Sequence, residues 1–306
     1  MKKRLPERLK KGDLIGIIAP AAGLKDEKPF INGLQILREM GFEPVYPREL
    51  WPGNYFLADT DENRALEFNR MWAEPSVKAL IAARGGYGCL RLLPYLDQQL
   101  MARTPKLLTG FSDITLLNAY LLKKHNLISL HGPVVASLPN SSRPSIERLA
   151  ACLAGNWSAS IEFSGHEILR DGQGEFARLI GGNLSTLITL IGTDYDLDYS
   201  GAILFMEDVN EPPYKLDRML TQMKLAGKFE QLAGLILGEF SHDEITDTAE
   251  KLRYQEYIWQ RMLQLAGGCC PIIAGFPLGH GRENLTLPYG AYAKINTSQG
   301  RLEFLP

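Results

Sequence analysis

From Leu14 to Gly132 the chain alternates short apolar runs with amphipathic segments: LIGIIAP, PFINGLQILREMG, PVY, ENRALEFNRMWAE, VKALIAA, CLRLLPYLDQQL, KLLTGF, ITLLNAYLLKKH and LISLHG. Short apolar runs that do not alternate strictly with polar residues are the pattern of strands covered on both faces. The segments between them carry helical spacing, so the rhythm is βαβ. The expected fold is α/β, a parallel sheet with helices on both sides, whose ligands meet the carboxyl ends of the strands.

The rhythm does not persist. Between Pro139 and Gly174 it weakens into SLPNSSRPS, a short helical stretch and GNWSASIEFSGHEILRDGQGE, the composition of a crossing between domains. A chain of 306 residues is long enough for two domains. We therefore expect a parallel α/β domain over 1–150, a connecting segment over 151–174 and a second domain over 175–306. The second has candidate strands at FARLIGG, GAILFME, LAGLILGEF, CPIIAGF, AYAKIN and LEFLP, with helices in PPYKLDRMLTQMKLAG and TAEKLRYQEYIWQRMLQLAG. It reads as a strand-rich α+β domain of different character.

Charge and cysteine usage narrow the function classes. The 33 basic and 35 acidic residues give a formal charge of -2 and are spread along the chain, so there is no basic field for nucleic acid or anionic lipid. Small molecules or copies of the chain are the expected partners. The start, MKKRLPERLKKGD, has the cations of a leader, but only the short run Leu14 to Ala22 follows and Asp13 interrupts the approach. We read no export signal, and no stretch approaches the roughly 18 apolar residues that cross a bilayer. The four cysteines include the adjacent pair Cys269 and Cys270, a poor disulfide framework that fits a reducing, cytoplasmic compartment. With no C-x-x-C or H-E-x-x-H spacing, the sequence implies neither a metal nor a cofactor.

Chemistry concentrates at two strand-to-helix turns and two strand ends. In KLLTGFSDITLLNAYLLKK a strand ends at Gly110-Phe111 and a helix starts just after Ser112-Asp113. A serine there projects from the active edge of the sheet, beside helix N–H groups that favour negative charge. Ser and Asp are also preferred helix caps, so the turn alone has a plain structural reading. Upstream, Arg84-Gly85-Gly86-Tyr87-Gly88 follows the strand VKALIAA. Its glycines can aim backbone N–H groups at an oxyanion or a phosphate, or can serve only as a tight connection. It matches neither standard phosphate-binding glycine spacing.

A serine nucleophile needs a base and a group to orient that base. His125, His166 and His242 lie in charged or polar segments and read as solvated. His131 ends a strand as a site residue or a core histidine, and His280, flanked by glycines in GFPLGHGREN, is the better base, with a surface role in its loop as the structural alternative. Glu207, at the exit of the apolar strand GAILFMEDV, is the first choice for the orienting carboxylate. Its structural alternative is to cap the following helix or to pair with Lys215 or Arg218 on it.

The stretches GDLIGIIAPAA, ARGGYG, GFSDIT, GGNLSTL, FMEDVNEPPY and GFPLGHGREN stand in the order found in the LD-carboxypeptidase and microcin-immunity family of serine peptidases. The chain resembles that family over nearly its whole length. The resemblance implies Ser112 as nucleophile, His280 as base, Glu207 as its orienter, and the N–H groups of Gly86 and Asp113 as oxyanion hole. It also implies a nucleotide-binding-like first domain, a β-rich, swivelling or barrel-like second domain, an active site between them, and a homodimer. The implied reaction is removal of the terminal D-Ala from murein tetrapeptide. The alternatives are hydrolysis of aminoacyl-nucleotide analogues, as in microcin immunity, and a non-catalytic protein that binds cell-wall peptide. The microcin-immunity branch carries an extra aromatic-bearing loop with no counterpart found in this sequence, and retention of all three side chains argues against a binding module. Near the glycine turns, Arg84, Asn183 and Ser185 are the candidate substrate contacts.

Overall fold

The apolar runs of the first half become strands in a computed structural model that describes residues 5–47, 51, 53–163, 167–268 and 270–305. The first unit, Met1–Asn156 with Asn284–Tyr289, contains β1 (Leu14–Ile18), α1 (Glu27–Glu39), β2 (Glu43–Val45), α2 (Asp61–Ala73), β3 (Val77–Ala82), α3 (Cys89–Leu92), α4 (Gln98–Arg103), β4 (Leu107–Gly110), α5 (Thr115–His125), β5 (Ser129–His131) and α6 (Arg143–Leu153). The two longest helices of this unit start where a side chain can accept an orphan amide: Asp26 takes the N–H of Lys28 for α1, and Thr60 takes that of Asn63 for α2. Their apolar faces, Phe30, Leu34 and Leu37 on one and Ala65, Phe68 and Trp72 on the other, are buried. In α5 every residue from Thr115 to Leu122 is buried, as expected of a helix enclosed on all sides.

CLRLLPYLDQQL, read as one amphipathic segment, breaks into pieces. Pro94 sits in a single 3₁₀ turn over Leu93–Tyr95, and Asp97 then caps α4 by accepting the amide of Leu100. A proline removes the amide the helix needs and an aspartate offers a new start.

With β12 (Leu287–Tyr289) at one edge, the first sheet has the order β12-β5-β4-β3-β1-β2, with β1 to β5 all parallel. The chain leaves β1 toward one edge and returns to run β3, β4, β5 toward the other. The strand order therefore reverses between β1 and β3, the place where sheets of this kind bind ligands. The last strand, β12 (Leu287–Tyr289), comes from the far end of the sequence and pairs antiparallel with β5. The expectation that 175–306 forms one domain fails over this stretch. Three residues containing Pro288 lack a legible strand pattern, and proline is tolerated there because β12 is an edge.

The second unit, Trp157–Glu283 with Gly290–Pro306, contains β6 (Ile161–Glu162), β7 (Glu167–Arg170), β8 (Ala177–Asn183), α7 (Leu184–Leu187), β9 (Ala202–Val209), α8 (Pro213–Leu225), β10 (Gly234–Ser241), α9 (Thr248–Leu265), β11 (Ile272–Ala274), β13 (Tyr292–Asn296) and β14 (Arg301–Phe304). Its eight strands run β6-β14-β13-β8-β9-β10-β11-β7. The centre, β8 to β11, is parallel, and the flanking strands are antiparallel. The strand-rich second domain is thus a mixed sheet. The stretch expected to connect the domains, 151–174, ends α6 and then supplies both edge strands, β6 and β7. These are short and half polar, so they lack the apolar run that marks an interior strand.

Candidate active site

In the first unit, β4 delivers the chain to Phe111 and then to Ser112, which adopts φ +59 before the 3₁₀ turn Ser112–Ile114 opens α5. A left-handed conformation costs a non-glycine residue about 1–2 kcal/mol, so it persists only where its surroundings demand it. Those surroundings include the turn after β3. A side chain at Gly85 would bring its Cβ within 2.9 Å of Ser112 Cβ and 3.1 Å of Ser112 Oγ. Gly86 has φ +116, and a Cβ there would meet Ala22, at the exit of β1, at 2.5 Å. Glycine is therefore required for close approach at one position and for conformation as well as space at the next.

Asp113 links the two turns. Its buried carboxylate accepts the amide of Cys89, the first residue of α3, at 2.7 Å. Burial raises the Asp113 pKa and that amide opposes the rise. The sequence had singled out only the backbone N–H of Asp113; its side chain holds the glycine turn beside the Ser112 turn. The signal was present as an acid in the first turn of a helix, but its acceptor role toward a residue 24 positions away was not.

In the second unit, Glu207 near the end of β9 is fully buried, and its Oε2 lies 2.7 Å from His280 Nδ1. No described group bonds Glu207 Oε1. Burial depresses the His280 pKa, but the charge and hydrogen bond of Glu207, with Asp208 and Glu239 nearby, raise it above 6.5 overall. Asp208 is pushed up to about 7 by burial and by Glu207, against hydrogen bonds from the amides of Ser185 and Val209 and from the Asn183 side chain. An imidazole fixed at Nδ1 by a buried carboxylate can exchange a proton at Nε2, the arrangement a serine hydrolase needs in its base. The first unit supplies a strained serine beside a glycine turn.

Two family models match this chain, one on each half of the sequence. A family model described as the LD-carboxypeptidase N-terminal domain matches residues 15–132, and one described as the LD-carboxypeptidase C-terminal domain matches residues 177–295. The chain belongs to the LD-carboxypeptidase family. It is 32% identical over 305 residues to the murein tetrapeptide carboxypeptidase of Pseudomonas aeruginosa, covering 94% of each chain. It is 28% identical over 317 residues to the microcin C7 self-immunity protein MccF of Escherichia coli, covering 93% of this chain and 91% of that one. A crystal structure of muramoyltetrapeptide carboxypeptidase from Oxalobacter formigenes matches with a TM-score of 0.77 at 30% identity, over 95% of this chain and 97% of that chain.

In this member of the LD-carboxypeptidase family, the three residues expected to touch substrate have different surroundings. Arg84 donates to the carbonyl of Gly23 at 2.8 Å and, with Lys25, Tyr55, Phe56 and Tyr87, lines a cavity of about 580 Å³ that reaches Gly86. The other two are engaged within the second unit. Asn183 donates to Asp208 at 3.2 Å and caps α7 by accepting the amide of Thr186, while the Ser185 amide and hydroxyl contact Asp208 at 2.7 and 3.4 Å. Both side chains hold Asp208, the neighbour of Glu207.

The alternative partners of Glu207 are occupied elsewhere, Lys215 with Glu211 at 3.7 Å and Arg218 over the ring of Tyr214. His131 is buried and edge-on to Phe111, with ring centroids 6.3 Å apart. His125, expected to be solvated, is buried against Tyr120, because the helix that carries it is enclosed. His242 is half-buried, and His166 and Cys269 lie outside the described residues. Among the described residues, no three His, Cys, Asp or Glu side chains cluster to hold a metal, and no helix is long and apolar enough to cross a membrane.

Proposed function

We propose that the protein is a serine LD-carboxypeptidase that releases the terminal D-Ala of murein tetrapeptide. The observation that carries this reading is the 2.7 Å bond between His280 Nδ1 and the buried Glu207. Ser112 Oγ attacks the carbonyl joining the L-centre of diaminopimelate to D-Ala, and His280 Nε2 takes its proton. The N–H groups of Gly86 and Asp113 hold the oxyanion, each donor contributing about 2.7–4 kcal/mol to the transition state. His280 returns the proton to the leaving amine of D-Ala, and water then hydrolyses the acyl-enzyme. Glu207 holds the ring and stabilises its cation. The cytoplasmic location expected from cysteine usage and the homodimer implied by the resemblance belong to the same proposal.

The test is D-Ala release from purified murein tetrapeptide in the presence of EDTA. Ser112→Ala is expected to lower kcat by about 10⁶-fold while the protein stays folded. Turnover surviving in that variant, or wild-type activity lost to the chelator, overturns the mechanism.

A second reading is favoured by one feature. The cavity beside Gly86 combines the exposed rings of Tyr55, Phe56 and Tyr87 with Arg84 and Lys25, a pairing that suits a nucleobase and a phosphate-like group. Hydrolysis of an aminoacyl sulfamoyl adenosine with a higher kcat/KM than the tetrapeptide would establish aminoacyl-nucleotide analogues as the substrate class. Binding of tetrapeptide without product would instead mark a binding protein.

A further inference from the structure

A cavity of about 630 Å³ in the second unit reaches His280 and is lined by groups that the proposed reaction does not use. Glu239, on β10, is placed by its amide, which donates to the carbonyl of Leu278 at 2.9 Å. Its side chain lies against the loop that carries the base. A Cβ at Gly279 would come within 3.0 Å of Glu239 Cβ, and one at Gly281 would strike Glu239 Oε2. The glycines around His280 thus make room for a second carboxylate. Among the described residues, no cation or hydrogen-bond donor engages that carboxylate. The same cavity is lined by Lys251, from the first turns of α9, whose ammonium likewise has no described partner, and by His242, Tyr254 and Gln255. Asp243, also in the lining, is already bonded to the Asn210 side chain at 2.8 Å.

A carboxylate that shares only the field of the His280 ring and an ammonium, neither held in a side-chain hydrogen bond or ion pair among the described residues, face one cavity beside the proposed base and are complementary to a ligand that carries both charges. We infer that this cavity binds the free amino-acid head at the end of the side chain of the substrate residue whose carbonyl is attacked. Glu239 takes the head's ammonium and Lys251 its carboxylate. The inference rests on the peptidase reading above. It adds that the enzyme discriminates a diaminopimelate residue, whose side chain ends in an ammonium and a carboxylate, from a lysine residue, which ends in an ammonium alone. A site built for a charged partner penalises the analogue lacking it, because the site's own group is left desolvated and unpaired.

The experiment compares three tetrapeptides, with diaminopimelate, its side-chain carboxamide, or lysine at the third position, using the full-length enzyme and D-Ala release. The wild type is expected to favour the first by about 10-fold or more in kcat/KM, mainly through KM. Lys251→Met should collapse that preference, and Glu239→Gln should raise KM for all three. An effect of Glu239 exerted only through His280 would instead lower kcat and leave KM in place, which overturns its assignment. Equal loss on all three peptides in Lys251→Met overturns the inference too, since the carboxylate being read would then be the shared one of D-Ala. If no peptide is hydrolysed, it is the peptidase reading that fails. Calorimetric titration of Ser112→Ala with the same peptides still decides the cavity, and equal or undetectable binding of the three overturns the inference.

Discussion

The two units place the groups proposed to react by different physics. In the first, position is a matter of backbone and space: Ser112 sits at φ +59, Gly85 leaves the gap that its hydroxyl occupies, and Gly86 fits against Ala22. In the second, position is a matter of charge. Glu207, Asp208 and Glu239 surround one imidazole and together outweigh the burial that would strip its proton. A nucleophile is needed at one point and in one direction, which sterics define sharply. A base is needed at one point and in one protonation state, and only electrostatics sets the second. Damage should therefore be geometric in the first unit and electrostatic, hence pH-dependent, in the second.

The largest effect is expected from Glu207→Gln, which keeps the shape of the side chain but removes the charge that orients His280. By analogy with other triad carboxylates, kcat for D-Ala release should fall about 10⁴-fold. A loss under tenfold would mean that the second unit also works by geometry. Next comes Gly85→Ala, whose added Cβ lies 2.9 Å from that of Ser112. A displaced nucleophile should cost about 100-fold in kcat with little change in the pH profile. A shifted profile there would blur the contrast.

Smaller effects sharpen it. If Ser112 is held in an unfavourable conformation, Ser112→Gly should be more stable than Ser112→Ala by about 1 kcal/mol in urea denaturation, because only glycine adopts that φ without penalty. Equal stability would show that the turn stores no strain. The last concerns the acid limb of kcat/KM. A base works only when neutral, and the His280 pKa is raised above 6.5, so activity should rise with pH through a value above 6.5. Asp208, with a pKa of about 7, titrates in the same range and couples to it. Asp208→Asn removes one negative charge near the ring, so the limb should move to lower pH and narrow. An unmoved limb would remove Asp208 from the electrostatic account.

Much of this was legible in the sequence. The interior strands announced themselves because burial on both faces leaves an unbroken apolar run, and the helices because burial on one face leaves a period. Ser112, Glu207 and His280 could be proposed because each stands in or just after an apolar strand within a recognisable motif. Edges were harder. β6, β7 and β12 are short, partly polar or interrupted by proline, and they exist because a neighbouring strand offers hydrogen bonds. His125 looked solvated from its lysine neighbours, but its burial is decided by what encloses α5. Asn183 and Ser185 looked like ligand contacts, and the fold turns both toward Asp208.

The sequence by itself determined which segments must be covered, the order in which they alternate, and which residue types were available for chemistry. Tertiary structure decided which of those residues meet. Glu207 and His280 are 73 positions apart and Asp113 and Cys89 are 24 apart, distances at which no local period carries information. It also decided the sign of the electrostatics. A histidine ring and three carboxylates are ordinary in composition, and only the folded chain brings the carboxylates close enough to raise the pKa of the ring against the burial that lowers it. Charge interactions strengthen where water is excluded, and exclusion of water is a property of the folded chain.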